Sequence, residues 1–376
     1  MSKTRVFVSD ADYANSLAAV RSLGKKGIEV VAGSSSRHAQ AFYSRYCSER
    51  LVYPSLDDKD RFTDFVLKHL QADRIDALLP IGYDANVAVS KRLAEFSKLT
   101  RVPVAGWEAM RIASDKSLTL KFAAELGVGI PRTYSNPDQV DSFPVVVKST
   151  VGSGRMRYIN SQEELTKLEM PKSVIQEYVP GTGYGFFALM NRGEPRALFM
   201  HRRIREYPIT GGASTAAESV FDAELKDIGL RLLKALNWHG VAMVEVKKDT
   251  RDGRFKLMEI NPKFWGSLDL AIASGVDFPH LAVRMAVDGD VEPVLDYRTG
   301  VVFTWPLPYG VLYALAKPTS AWQSFRDCLN REVMSNVWPD DIVPNMVQAV
   351  STLGAVAKRA GSGTLRYPHG VPRSTR

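Results

Sequence analysis

The sequence predicts an α/β protein: a parallel, doubly wound N-terminal sheet followed by a strand-rich region of α+β character. Three observations carry this. Short apolar runs alternate with single amphipathic helices over the first hundred residues, the pattern of βαβ units. From Phe143 onward, strands follow one another across glycine-rich or polar turns. At 376 residues the chain exceeds what one hydrophobic core supports, so several packed units are expected.

In chain order, Val6-Phe7-Val8 is a strand. Residues 11–26 form a helix with Leu17, Val20 and Leu23 on one stripe and Gly24 and Gly27 at its end. Residues 29–32 give a second strand, 62–70 a helix, 77–80 a third strand, 84–98 a helix capped by Asp84, and 102–104 a short fourth strand. No G-x-G-x-x-G follows the first strand, which removes the dinucleotide reading. Ser9-Asp10 and Gly82-Tyr83-Asp84 stand at carboxyl ends of strands, where ligands of such sheets collect, although turn and capping roles explain both equally. A helical stretch over 108–126 follows. Residues 144–148 are a buried-type strand ending in Lys148, 157–160 its hairpin partner, and Ser161 with Glu164 a capping box. Strands are expected at 173–179, 186–190, 197–203, 241–246 and around Glu259, with helices at 223–236 and 277–287. Beyond Pro293 the pattern weakens to an irregular stretch at 304–308 and helices at 309–315 and 347–359.

Composition is that of an ordinary globular protein, 45% apolar and 24% charged. No apolar run approaches the roughly 20 residues of a membrane span. Met1 to Arg5 run straight into a strand, and Cys47 and Cys328 have neither disulfide-framework nor metal-ligand spacing, so a cytoplasmic protein is expected. The net charge of +8 favours anionic partners, but it is diffuse and not interleaved with aromatics, so nucleic acid is not expected. Part of it sits in Lys358, Arg359, Arg366, Arg373 and Arg376, in a tail rich in Gly, Ser and Pro from Gly361 that is expected to fray.

The chemistry concentrates in Leu257-Met258-Glu259-Ile260-Asn261-Pro262-Lys263. Glu259 and Asn261 are two apart and point the same way on a strand; Glu245 lies on the preceding strand, across a turn at 247–254. Two carboxylates and an amide oxygen suit Mg²⁺ completed by nucleotide phosphates. Far upstream, Lys148 precedes Ser149-Thr150-Val151-Gly152-Ser153-Gly154-Arg155, small residues whose N–H groups can approach an anion; a plain hairpin reads the same way. Asp115 can cap a helix whose first turn carries Lys116 toward an anion. Gln176-Glu177-Tyr178-Val179 ends a strand at a Pro-Gly hinge, where backbone groups can meet an adenine edge. Arg202-Arg203-Ile204-Arg205, beside Gly211-Gly212, can hold a carboxylate or phosphoryl group.

This ordered set resembles the ATP-grasp superfamily, in its carboxylate–amine ligase and carbamoyl-phosphate-synthase-like branch, over residues 6–287. The resemblance implies a pre-ATP-grasp domain (1–106), linker helices and a lid (107–180), a large subdomain with the metal site (181–292) and a C-terminal helical extension (293–376). It implies that Lys116 and Lys148 bind ATP phosphates, and that Ser149, Gly152, Ser153 and Gly154 cover them. By the same resemblance Gln176, Glu177, Tyr178 and Val179 meet adenine, and Glu245, Glu259 and Asn261 hold Mg²⁺ or Mn²⁺. Lys263 stands where many members have a substrate-contacting arginine, and Arg203 is the residue chosen for the transferred phosphoryl. Where many members hold the ribose with an acidic residue, this chain has Thr182-Gly183-Tyr184-Gly185. The implied activity joins a small carboxylate, such as an amino acid, to an amine through an acyl-phosphate, with homodimerisation a family habit. A small-molecule kinase, a carboxylase and a catalytically silent nucleotide-binding module are the alternatives.

Overall fold

The structure, a computed structural model, describes residues 3–152, 156–330 and 332–373. Its N-terminal sheet contains β1 (Arg5–Val8), β2 (Glu29–Ser34), β3 (Glu49–Val52) and β4 (Ala77–Leu79), all parallel in the order β3-β2-β1-β4. Helices Ala14–Lys25 and Lys59–Ala72 lie between the strands, as the alternating apolar runs require. Strand β3, whose charged first half Glu49-Arg50 masks its pattern, was not expected. The expected strand at 102–104 is absent: only Arg101 bridges to Ala77, and Pro103 has no N–H with which to extend a ladder. The helix expected over 84–98 breaks at Arg92 into Tyr83–Lys91 and Leu93–Phe96. Gly82 is its N-cap; Asp84 lies inside the first turn and pairs with Lys59 at 2.9 Å instead of capping.

A second sheet, order β5-β8-β6-β7, is built from β5 (Thr133–Tyr134), β6 (Val145–Ser149), β7 (Met156–Ile159) and β8 (Ser173–Glu177). The cap expected at Ser161 is present, with its hydroxyl accepting from Glu164 N while Glu164 accepts from Asn160 N. The third sheet contains β9 (Gly181–Asn191), β10 (Glu194–Tyr207), β11 (Ala213–Ser219), β12 (Gly240–Asp249), β13 (Phe255–Asn261), β14 (Val302–Thr304) and β15 (Met334–Ser335), in the order β13-β12-β9-β10-β11-β14-β15. The segment after 293, expected to be helical, thus also supplies two short strands, and Thr304, expected in irregular chain, pairs with Ala216.

Strand alternation divides the faces of this sheet. Phe186, Ala188, Met190, Leu198, Met200, Ala242 and Val244 pack on the helix Ala223–Ala235, which Asp222 caps. Phe187, Leu189, Ala197, Phe199, Val241 and Met243 face the other way, in one core with Leu17, Val20 and Leu23 of the N-terminal unit. Further along that same face the residues become Glu245, Lys247, Arg203, Glu259 and Asn261. One face therefore carries a packed end and a polar end.

Two features join the C-terminal segment to the rest. Buried Arg21 donates to Asp341 Oδ2 at 2.8 Å and to Asn345 Oδ1 at 3.0 Å. The tail, expected to fray, lies along β7 instead, with Tyr158 N donating to His369 O at 3.1 Å. Among the described residues no helix is long and apolar enough to cross a membrane.

Asp269 on the helix Leu268–Ala273 is buried, accepts from Trp305 Nε1 at 3.3 Å, and has its carboxyl pushed up to about 6 by burial. An acid that titrates near 6 folded and about 4 unfolded keeps its proton longer in the folded chain. The contribution of this one group to stability is therefore fully present below about pH 4 and is lost as pH rises through 6. Asp269→Asn, which keeps an acceptor for Trp305, should flatten this dependence and raise stability at pH 7 by up to about 3 kcal/mol. Urea unfolding at pH 5 and pH 7.5 measures it; an unchanged pH dependence contradicts the assignment.

Candidate functional site

The polar end is organised by the β12–β13 hairpin. Glu245 lies directly opposite Glu259, and Met243 opposite Asn261. The register shifts between Glu245 and Val246, because Met258 is an extra residue in β13. This bulge has a consequence for side-chain direction. Phe255, Leu257 and Ile260 all enter the core on the helical face, and only the inserted residue lets Glu259 and Asn261 turn to the other. Asn261 Nδ2 donates to Glu259 Oε1 at 3.0 Å, so the two expected to point together do so.

Strand β9 next to the hairpin presents Gly181, Gly183 and Gly185 on this face, a bare stripe opposite Glu245 and Lys247. The stripe is what lets Arg203, on the far side of β9, reach across it. Its Nη2 stands 2.8 Å from Glu245 Oε1 and its Nη1 3.1 Å from Glu206 Oε2. A Cβ on Gly183 would lie 2.9 Å from Arg203 Cδ. Gly183→Ala should therefore displace the guanidinium from its place between Glu245 and Glu206 while leaving the sheet paired. The expected result is a loss of activity of about 10²-fold with a small change in melting temperature, checked by kinetics and thermal unfolding; full activity contradicts it.

Lys116 begins the helix Lys116–Glu125, capped by Asp115 as expected through Ser117 N at 2.8 Å and Leu118 N at 3.3 Å. Its ammonium lies 3.1 Å from Glu259 Oε2 and donates to Gly152 O at 2.9 Å. Lys116 N also donates to Thr150 O at 2.7 Å, pinning the turn after β6 to the helix start. Gly152 has φ +74°, a left-handed conformation that glycine adopts without strain. Ser149 Oγ donates to Val151 O at 3.1 Å; Ser153, Gly154 and Arg155 lie outside the described residues. Tyr83, Ser114, Lys116, Gly152, Glu259, Asn261 and Lys263 line one small cleft. A wider hollow beside Asp57, Lys59, Lys91 and Arg92 is on the N-terminal unit, where Lys59 and Arg92 are paired with Asp84, Asp64 and Glu95.

The electrostatics tie these groups together. Burial pushes the Lys148 ammonium below its ordinary range, opposed by Glu259 and Glu245. Burial does the same to Lys263, opposed by Glu259, Glu245 and Asp10, and Lys263 Nζ donates to Phe264 O at 3.4 Å. Glu245 is raised by burial and the neighbouring Glu259, with Arg203 opposing. Burial acts on Glu259 as well, but Lys116, Lys148 and the Asn261 amide outweigh it and hold that carboxyl below its ordinary value. Two like charges pushed apart, each steadied by a cationic side chain, are what a divalent cation would hold ionised together. The donor set is hard oxygen. Among the described residues no group of three or more His, Cys, Asp or Glu side chains is placed to hold a metal ion by itself. The groups fit a Mg²⁺ or Mn²⁺ ion completed by non-protein oxygens, and do not form a closed cage.

At the hinge, Gln176 is buried and donates to Thr133 Oγ1 at 3.3 Å. The Glu177 carboxylate is taken up by Arg132 N at 2.9 Å and Arg251 at 2.8 Å, and its own N–H donates to Arg132 O at 2.9 Å, as that of Tyr178 does to Pro144 O at 3.2 Å. The Tyr178 ring stands 5.8 Å from that of Tyr158 on β7, and Lys247 Nζ lies 5.3 Å from its centroid. Val179 O accepts from Lys247 Nζ at 3.1 Å. Lys247 and Glu206 were given no role in the sequence, the first assigned to a turn and the second lying beyond the strand expected at 197–203. The alternating glycines of 181–185 were a legible signal for the crossing that Arg203 makes.

Comparison with known proteins gives a consistent picture. Residues 169–306 match a family model described as ATP-grasp in the biosynthetic pathway with Ter operon. The chain is 25% identical over 344 residues to the carbamoyl phosphate synthase large chain of Methanothermobacter thermautotrophicus, covering 79% of this chain and 32% of that one. It thus spans about a third of that curated relative's length. Similar solved structures include biotin carboxylase from Campylobacter jejuni (TM-score 0.64, 15% identity, covering 80% of this chain and 74% of that one). They include L-amino acid ligase from Bacillus licheniformis (0.63, 14%, 78% and 76%). N5-carboxyaminoimidazole synthetase from Staphylococcus aureus is a third (0.62, 16%, 79% and 81%).

Proposed function

We propose, from the ATP-grasp fold that this chain carries, that it is an ATP- and Mg²⁺-dependent ligase joining a small carboxylic acid to an amine, with release of ADP and phosphate. The observation that carries the reading is the meeting of Glu245, Glu259 and Asn261 with Lys116 and Lys148 on one face. In this reading Glu245, Glu259 and Asn261 hold Mg²⁺, which neutralises phosphate charge when bound. Lys116 and Lys148 hold phosphate oxygens, while the backbone of residues 176–179 meets the adenine. Arg203 and Lys263 hold the carboxylate and the phosphoryl group it receives. The carboxylate oxygen attacks the γ-phosphorus, the bond to the bridging oxygen breaks, and ADP leaves. The amine nitrogen then attacks the acyl carbon of the resulting acyl-phosphate, expelling phosphate and losing a proton as the amide forms. Catalysis is positioning and charge neutralisation, so no protein nucleophile is needed. The lid turn excludes water that would hydrolyse the acyl-phosphate.

A panel of amino acids and small acids, singly and in pairs with amines, tests this with phosphate release as the readout. Phosphate that appears only when acid and amine are both present supports the ligase. A stable phosphorylated product from one substrate, or release driven by bicarbonate alone, contradicts it.

A further inference from the structure

Arg203 is held between two carboxylates of different standing: Glu245, a metal ligand in the reading above, and Glu206, which has no role there. We infer that Glu206 is a positioning residue that draws the Arg203 guanidinium off Glu245, leaving that carboxylate available to the cation. The inference rests on the proposed function. Three observations support it. Glu206 Oε2 lies 3.1 Å from Arg203 Nη1 while Glu245 Oε1 lies 2.8 Å from Nη2, so one guanidinium bridges the two acids and its charge is divided between them. Ile204 is an extra residue in β10 against β11, and this irregularity brings Glu206 onto the face of Arg203 although the two are three residues apart. Gly212 N lies 3.5 Å from the same Oε2, tying the carboxylate to the Gly211-Gly212 turn.

The test is calorimetric titration of Mg²⁺ at saturating ADP. Glu206→Gln should weaken Mg²⁺ about tenfold, the scale of coupling within one charged network. In an Arg203→Gln background the same change should have no further effect, because Glu206 acts through that arginine. Glu206→Asp should restore part of the affinity. An equal loss in both backgrounds, or none in either, would overturn the inference. Absence of Mg²⁺-dependent ADP binding in the unaltered chain would overturn the ligase reading with it.

An independent observation concerns the tail. It crosses the outer strand β7 of the lid: besides the His369 contact, Arg157 Nη1 donates to Pro368 O at 3.4 Å and Asn160 Nδ2 to Val371 O at 3.1 Å, while Arg373 N donates to Asn160 Oδ1 at 2.7 Å. The same segment is fixed to the third sheet by Tyr207 Oη, which donates to Leu365 O at 2.7 Å, and by Arg359, 5.3 Å from the Tyr207 ring. The geometry points to a strap that holds the lid sheet down on the third sheet. Removal of residues 365–376 should speed hydrogen exchange at 145–149 and 156–159 about tenfold without nucleotide, the scale of losing one or two net hydrogen bonds. Asn160→Ala should give a smaller change of the same sign. Exchange there that is unaltered in both variants would overturn the strap, whatever the fate of the ATP reading.

Discussion

Glu259→Gln is expected to reduce turnover by 10²-fold or more while leaving the fold intact. The glutamine has the same shape and one oxygen that can still accept from Lys116, while its NH2 group replaces the oxygen that accepted from Asn261; the backbone pairing of the hairpin is untouched. What is lost is one full charge at the point where Lys116, Lys148 and the proposed cation converge. Removing a single preorganised electrostatic partner of a reacting centre typically costs 10²–10³-fold. The measurement is turnover with thermal unfolding as the control. Retained turnover at an unchanged melting temperature would remove Glu259 from the metal site.

The second large effect is at Lys148, where the expectation differs in kind. Lys148 is half-buried, with its ammonium among the charges of Glu259, Glu245, Lys116 and Lys247, and desolvation lowers its proton affinity. A cation held in such a place without a stable anion of its own is costly, and a nucleotide phosphate supplies that anion. Lys148→Ala should therefore weaken ATP about 10- to 100-fold, the scale of a charge-assisted hydrogen bond. The chain should at the same time be no less stable without nucleotide, because an unfavourable desolvated charge has gone. ATP affinity by calorimetry and melting temperature in the absence of nucleotide check both halves. An unaltered ATP affinity would take Lys148 out of the site.

The parts of this fold that could be read in advance are those governed by local physics. The buried run before Lys148, the Asp115 cap and the alternation around Glu259 and Asn261 each follow from a short stretch of chain, and the ordered motifs together pointed to ATP-grasp. The parts that could not be read depend on partners distant in sequence. Strand β3 has the burial of an edge and so no apolar period. Strand β14 forms on the edge that β11 leaves open, and β15 pairs in turn with β14. The tail is ordered along β7 although its composition is that of a frayed end. Glu206 reaches the site through irregularities in β10 pairing, and such a shift has no signature in residue spacing. The bulge at Met258 is the instructive case. The spacing of Glu259 and Asn261 was enough to align them with each other, but which face they share is decided by an insertion visible only once β12 is paired.

The most direct test is the position of the cation itself. Crystals grown with Mn²⁺ and a non-hydrolysable ATP analogue would locate the metal by its anomalous signal. The expected result is an ion bound by Glu245, Glu259 and Asn261, with Lys116 and Lys148 on the phosphates. An ion bound elsewhere, or phosphates seated away from these lysines, would contradict it.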